Sequence, residues 1–135
     1  MKLRIRGNSL RLRLTKGEVA QMSAGLRIEE SIQFGLEPQQ RLTYALEVTT
    51  DAERLTAEYN DGCIRVLLPA SLANEWANSD QIGISGEQSF GNDRPGETLK
   101  LLVEKDFACL TERRAEDVDT FPHPFEGIAH CSVRN

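Results

Sequence analysis

The sequence contains no long apolar segment. No stretch approaches the roughly 20 consecutive apolar residues of a membrane-spanning helix, and the opening MKLRIRGNSLRLRL alternates basic with apolar residues. We therefore expect neither a membrane partner nor a signal peptide. Cysteine is also scarce, since Cys63, Cys109 and Cys131 form an odd set without the spacing of a disulfide framework. Free thiols in a reducing cytoplasm are the expectation.

An excess of positive charge is absent as well. The formal net charge is −5, which disfavours nucleic acid as a partner because binding to its phosphates depends on neutralisation by cations. The charge is unevenly spread, with seven basic and three acidic side chains in residues 1–30, and ten acidic and five basic side chains in residues 87–126. Either these two regions pack together and pair their charges, or a basic strand face binds an anionic partner.

The length of 135 residues, with 39% hydrophobic residues, fits one domain covering residues 1–135. Its beginning predicts a hairpin, because Leu10, Leu12 and Leu14 alternate with outward-facing arginines after a Gly-Asn-Ser turn. Thr15 and Glu18 have capping-box spacing, so a helix is expected over residues 16–24, with Gly25 just beyond its end. Strands are predicted over residues 26–34 and 42–48, with Ile28, Ile32 and Phe34 available for the core.

The second half repeats this order. It predicts a strand over residues 55–59, an Asp61-Gly62 turn, a strand over 63–68, a helix over 69–77 that buries Trp76, a strand over 81–85, a polar loop over 86–97 and a strand over 99–104. The repetition suggests a ββαββ duplication, with one half at residues 1–50, the other at 53–106, and Glu47 aligned with Glu104.

These elements predict an α+β fold: a mostly antiparallel curled sheet or barrel of eight strands with two short helices. A single open sheet covered by both helices is the alternative. Residues 107–135 lose the periodicity and are expected to form a tail that wraps over the core.

The candidate binding residues are charged. They are the basic side chains of the first hairpin and the charged end of the last strand: Arg4, Arg6, Arg11, Arg13, Glu104, Lys105 and Asp106. No phosphate-binding loop accompanies them, because the glycines of GISGEQSFG lack the Gly-Lys-Ser/Thr ending.

The tail offers a second kind of site. Cys109 and His123, with Asp119 between them, are residue types that bind zinc or form a Cys/His nucleophilic pair. The paired knuckles of a strong zinc motif are missing, and a buried thiol at Cys109 is the structural alternative. The tail acids Glu116, Asp117 and Asp119 are also candidates for magnesium or calcium, although a run of acids beside Arg113 and Arg114 is more typical of a solvated surface. The prolines of FPHPF suit a rigid clamp that anchors the tail.

Two stretches of the chain resemble a family of short bacterial proteins of unknown function. The first is MKLRIRGNSLRLRLTKGEV, and the second is VEKDFACL with the later ED.DTFPHP. The resemblance covers nearly the whole chain and implies a bacterial, single-domain, cytosolic protein with no assigned activity. Residues that match the family motif are Glu104, Lys105, Asp106, Phe107, Cys109, Asp119, Phe121 and Pro122. His123 departs from the FPNP of the family, which argues against a family-wide metal role for it.

Together these observations predict a non-enzymatic binding or interaction module of unknown partner, with no cofactor, that forms a homodimer through an exposed strand edge. The alternative is a metal-binding protein or hydrolase-type enzyme with a Cys/His/carboxylate site in the tail, for which zinc would be the metal.

Overall fold

A computed structural model of the protein describes residues 1–107, 121, 122 and 124. Within these residues the chain forms eight strands and two α-helices, so the predicted α+β class is confirmed. In chain order the elements are β1 (Lys2–Ile5), β2 (Ser9–Leu14), α1 (Lys16–Ser23), β3 (Ile28–Gln33), β4 (Arg41–Thr49), β5 (Thr56–Asn60), β6 (Cys63–Pro69), α2 (Ala70–Ala77), β7 (Gly83–Ser89) and β8 (Thr98–Lys105). Two 3-10 turns lie at Pro38–Gln40 and Gly91–Asp93.

The strands form two curled four-stranded sheets rather than a closed barrel. The first sheet has the order β1-β2-β8-β7 and the second has the order β3-β4-β6-β5. The central pairs, β2 with β8 and β4 with β6, are parallel, and the outer pairs are antiparallel. Each sheet therefore combines two strands from the first half of the chain with two from the second half.

The two halves use the same pairing registers. The pair Lys2 and Arg13 of the first hairpin becomes the pair Thr56 and Leu67 of the β5–β6 hairpin when 54 is added to each number. The same offset relates α1 to α2, which are both eight residues long. Glu47 on β4 and Glu104 on β8 occupy matching positions in the two parallel pairs.

Local sequence explains the turns and the first helix. Asp61 and Gly62 both have positive φ, 50° and 72°, as a tight hairpin turn requires. Thr15 closes the predicted capping box, because its hydroxyl accepts from the Glu18 N–H at 3.3 Å and its own N–H donates to the Glu18 carboxylate at 2.9 Å. Gly25 follows the helix with φ of 85°, the left-handed conformation typical of a helix C-terminus.

The core lies between the inner faces of the two sheets, and the two helices pack against each other beside it. Trp76 of α2 is completely buried and donates its indole N–H to the carbonyl of Ile82 at 3.1 Å. Met22 occupies the matching position on α1 and is also buried. The largest fully buried strand side chains are Leu12, Leu14, Leu46, Leu68, Val66 and Val103.

Two predictions about strands were wrong. Ile32 and Phe34 were expected in the core, yet 49% and 71% of their surfaces are exposed, because this end of β3 lies at the far end of its sheet from the helices. The loop expected from residue 86 begins later, since β7 continues to Ser89. Its polar residues are compatible with a strand because β7 lies at an edge of the first sheet.

The edges β5 and β7 meet where the two sheets come together. The Gln88 side chain accepts from the Ala57 N–H at 2.9 Å and donates to the Ala57 carbonyl at 3.1 Å. A Cβ on Gly86 would lie only 3.1 Å from the Leu55 Cβ and carbonyl oxygen, so the backbones are close here. Homodimerisation through an open edge stays a prediction.

In the part of the chain that the structure describes, no helix has the length and apolar character needed to cross a membrane. The predicted wrapping tail falls almost entirely on residues outside the described ones.

Candidate functional site

The outer surface of the first sheet carries most of the predicted binding residues. Leu12 and Leu14 of β2 are buried, so Arg11 and Arg13 between and beside them point away from the core. Lys2 and Arg4 of β1 lie opposite Arg13 and Arg11 and therefore share this surface. We call the surface formed by Lys2, Arg4, Arg11, Arg13 and Glu104 the basic face.

Register places four of these side chains in a compact block. Lys2 is directly opposite Arg13, and Arg4 is directly opposite Arg11. Side chains opposite each other on antiparallel strands lie about 5 Å apart at Cβ, and like charges in such positions repel. Four cations thus occupy two adjacent rows of one hairpin, which concentrates positive potential on a chain whose net charge is −5.

Glu104 of β8 is the carboxylate at the centre of the basic face. It accepts two hydrogen bonds from Arg13, at 3.0 Å from Nε and 2.8 Å from Nη2. The Nε of Arg11 is 3.6 Å from the same oxygen. The Glu104 side chain is 15% exposed, and the two arginines are 23% and 28% exposed, so solvent screening of this cluster is incomplete.

The other predicted binding residues lie around this cluster or away from it. Asp106 follows β8, donates its N–H to the Leu14 carbonyl at 2.8 Å and places a carboxylate oxygen 3.6 Å from the Lys2 ammonium. Arg6 lies in the turn after β1, where its carbonyl accepts from the Ser9 hydroxyl at 2.6 Å. Lys105 is not on the basic face: its ammonium lies 5.9 Å from the centre of the Trp76 ring, on the helix side.

A related charged cluster lies on the second sheet, where Glu47 takes the place of Glu104. Arg65 donates to Glu47 at 2.7 Å, and Arg27 donates to its other oxygen at 3.2 Å. Arg27 also contacts Glu29 at 2.7 Å, and Arg65 forms an ion pair with Glu58. This second cluster therefore contains three carboxylates for two arginines, so it is not a basic surface.

A third cluster surrounds the ammonium group of Met1, which contacts the carboxylates of Glu18 and, at 2.6 Å, Glu30. Burial lowers the pKa of this ammonium, but its hydrogen bonds to the two carboxylates outweigh burial and raise the pKa above 8.0. Burial raises the pKa of Glu18, but hydrogen bonds from the ammonium and from Thr15 lower it by more than burial raises it. The pKa of Glu18 therefore lies below 4.5. The Tyr44 hydroxyl donates to the Met1 carbonyl at 3.1 Å, and burial, then Glu30 and Glu18, raise its pKa.

This arrangement predicts how pH affects stability. Glu18→Gln retains the capping-box geometry but removes the charge, so we expect it to lower the free energy of unfolding by about 1 kcal/mol near neutral pH in a chain with a free amino terminus. The contribution of the carboxylate is present above pH 4.5 and is lost as pH falls through the lowered pKa of the folded state. The contribution of the ammonium is complete below pH 8.0 and is lost as pH rises through its raised pKa.

Urea unfolding of the wild-type chain and the variant at about pH 3, 6.5 and 10 measures the difference in each regime. We expect the difference to be largest at the intermediate pH. An equal difference at all three values would contradict a charge-dependent role for Glu18.

The predicted metal or nucleophile residues Cys109, Asp119 and His123 lie outside the described residues, so that alternative stays a prediction. Across residues 1–107, 121, 122 and 124, no three His, Cys, Asp or Glu side chains converge as metal ligands would. Cys63 is a free thiol on β6, with the Arg27 guanidinium 3.9 Å from its sulfur.

Lys2 shares the hairpin alternation that identified Arg4, and strand register places it directly opposite Arg13. Lys100 lies outside the basic face. Lys100 faces outward on β8 beside Ser9 and Glu87, and its proximity to β2 depends on a parallel pairing that no local pattern reveals.

Comparison with known proteins places the chain in a family without assigning it an activity. No curated protein and no solved structure matches it. A family model, described as a family of unknown function (DUF7009), matches residues 1–125 of the 135. This match includes both sheets, both helices and the basic face, and the chain therefore belongs to the family of unknown function DUF7009.

Proposed function

We propose that the protein is a non-enzymatic binding module whose basic face holds an acidic segment of a partner protein. The observation that carries this proposal is the block formed by Lys2, Arg4, Arg11 and Arg13 on the outward surface of one hairpin. Like charges directly opposite each other on two strands repel, and Glu104 and Asp106 offset part of the positive charge of this block. An anionic partner that lies across both rows adds further carboxylates, so binding gains from the positive charge that remains.

The chemistry of the basic face favours carboxylates over phosphates as the bound groups. Glu104 lies within the face and Asp106 lies at its margin, so a polyphosphate chain would meet negative as well as positive side chains. A protein segment can place its acids over the arginines and its own polar or basic residues over Glu104. The net charge of −5 also gives no long-range attraction for nucleic acid.

A deca-glutamate peptide labelled with fluorescein provides the test, with fluorescence polarisation as the readout. We expect the wild-type chain to bind it and the affinity to fall with added salt. The double substitution Lys2→Glu and Arg4→Glu lies on the exposed edge strand β1 and should weaken binding about tenfold or more, because attraction is replaced by repulsion.

The matched control is the double substitution Arg41→Glu and Arg54→Glu, which makes the same change in net charge at exposed positions outside the basic face. It should change the affinity by less than about threefold. Equal losses in the two variants would show that only net charge matters and would contradict the proposal. Tighter binding of an oligo-dT probe than of the peptide would replace it with nucleic-acid binding.

We further infer a bacterial, cytoplasmic setting, as the family resemblance implies. The three cysteines without the spacing of a disulfide framework support a reducing compartment.

We also infer that the two halves arose by internal duplication of a ββαββ unit. The shared offset of both hairpins and both helices supports this inference. The strand order supports it as well. Each half supplies two strands to each sheet, as two copies of one unit would do in a symmetric dimer.

A further inference from the structure

A groove of about 780 Å³ lies on the helix side of the fold. It runs between α1, the C-terminal end of α2 and the residues that follow β8. Leu14, on the inner face of the first sheet, lines its floor, so the groove is separate from the basic face. Ligand sites in proteins have volumes of about 300–1,000 Å³, and this groove lies within that range.

Small and apolar residues form most of the groove walls. Ala20 and Ser23 of α1, with Ala24 directly after the helix, form an exposed face, because residues three and four apart lie on one side of a helix. Ala77 of α2 and Phe107 complete the opposite wall. Phe107 is 58% exposed, so a large aromatic side chain faces the groove without full cover from the described residues.

Two lysines give the groove a positive charge. Lys16, at the first position of α1, has no hydrogen-bond or ion-pair partner in the described part of the chain. The Lys105 ammonium donates to the Ser79 carbonyl at 2.8 Å, which leaves further donor positions on the same nitrogen. Asp106 is the acid of the groove, and its carboxylate lies 3.6 Å from the Lys2 ammonium on the other side of the strand end.

We propose that this groove binds an amphipathic anion, a small molecule with one alkyl chain and one carboxylate. The alkyl chain lies over Ala20, Ala24 and Phe107, and the carboxylate pairs with Lys16, with Lys105 as the second cation. From Lys16 to Ala24 the helix rises about 12 Å, which matches an extended chain of about ten carbons. Charge complementarity selects the anionic head group, and the absence of large side chains on this face of α1 leaves room for the chain.

Decanoate is the probe, and isothermal titration calorimetry of the full chain is the measurement. We expect saturable binding of one decanoate per chain, with little binding of decanol or decyltrimethylammonium at the same concentration. Trp76 is the only tryptophan and lies next to Lys105, so its fluorescence should change as decanoate draws the ammonium away from the ring.

Two substitutions locate the site. Lys16→Gln removes the unpaired cation and should weaken decanoate binding about three- to fivefold, while Ala20→Phe fills the groove and should weaken it at least about tenfold. Both positions are exposed, so urea unfolding should show little change in stability. Lys100→Gln, on the outer surface of the first sheet, is the control and should leave the affinity unchanged.

Several outcomes would overturn the proposal. If the full chain does not bind decanoate, the proposal is wrong. Binding that Ala20→Phe leaves unchanged would place the ligand elsewhere. Equal binding of decanol and decanoate would show that the lysines do not select an anion. None of these results depends on whether the basic face binds acidic peptides.

Discussion

Replacing Trp76 with alanine should lower the free energy of unfolding by about 3–5 kcal/mol, as is typical for a large aromatic side chain removed from a protein core. The side chain is completely buried on α2, where its indole N–H donates to the Ile82 carbonyl at 3.1 Å. The substitution removes the buried ring, leaves a cavity beside α1 and leaves the Ile82 carbonyl without that donor. Urea unfolding followed by circular dichroism measures the change.

Two further variants separate the causes of this loss. Trp76→Phe keeps much of the apolar volume but removes the N–H donor, so it should cost about 1–3 kcal/mol. Met22→Ala truncates the matching residue on α1, which is 1% exposed, and should cost about 2–5 kcal/mol. A loss below about 1 kcal/mol for Trp76→Ala would show that the helices contribute little to the core.

Leu14→Ala and Leu68→Ala should each lower the free energy of unfolding by about 2–5 kcal/mol and by similar amounts. Leu14 ends β2 in the first sheet and Leu68 lies near the end of β6 in the second, at positions related by the offset of the two halves. Both side chains are 0% exposed. Because each follows a hairpin and precedes a helix, the two substitutions should leave cavities with similar surroundings.

Leu67→Ala is the matched control for this pair. Leu67 is next to Leu68 in sequence but points to the outer side of its sheet, and it is only partly buried. It should cost less than either core substitution, by about 1 kcal/mol or more. Costs for Leu14→Ala and Leu68→Ala that differ by more than about 2 kcal/mol would contradict an equivalent role for the two halves in the core.

The sequence was sufficient to predict the elements whose signals are local. The Asp61-Gly62 turn, the Thr15 capping box and the burial of Trp76 each depend on chemistry within a few residues. Alternation also assigned the inward and outward faces of β2 correctly. The same alternation failed for Ile32 and Phe34, because a strand has the same pattern whether or not another layer covers its far end.

The arrangement of strands into two sheets depends on pairings that no local pattern specifies. Alternation identifies the apolar face of β2 but not its neighbour, which is β8, with Arg13 beside Glu104 at a separation of 91 residues. For this reason the candidate site was only partly predicted. Arg4, Arg11 and Arg13 were grouped correctly on one hairpin face, whereas the position of Lys105 on the helix side depends on tertiary packing.

The interleaved sheets also affect the order of events as the chain folds. The first sheet needs β7 and β8, so the N-terminal hairpin has no strand partner on its inner side until nearly all of the described chain has been synthesised. Pairings between such distant residues slow folding, because a long loop must close before any contact forms. We therefore expect folding to be slow, on a time of milliseconds to seconds, with Leu10, Leu12 and Leu14 exposed until β8 is available. Arginines alternate with these leucines along β2. Their charges disfavour pairing of the exposed β2 edge with other chains before β8 pairs with it.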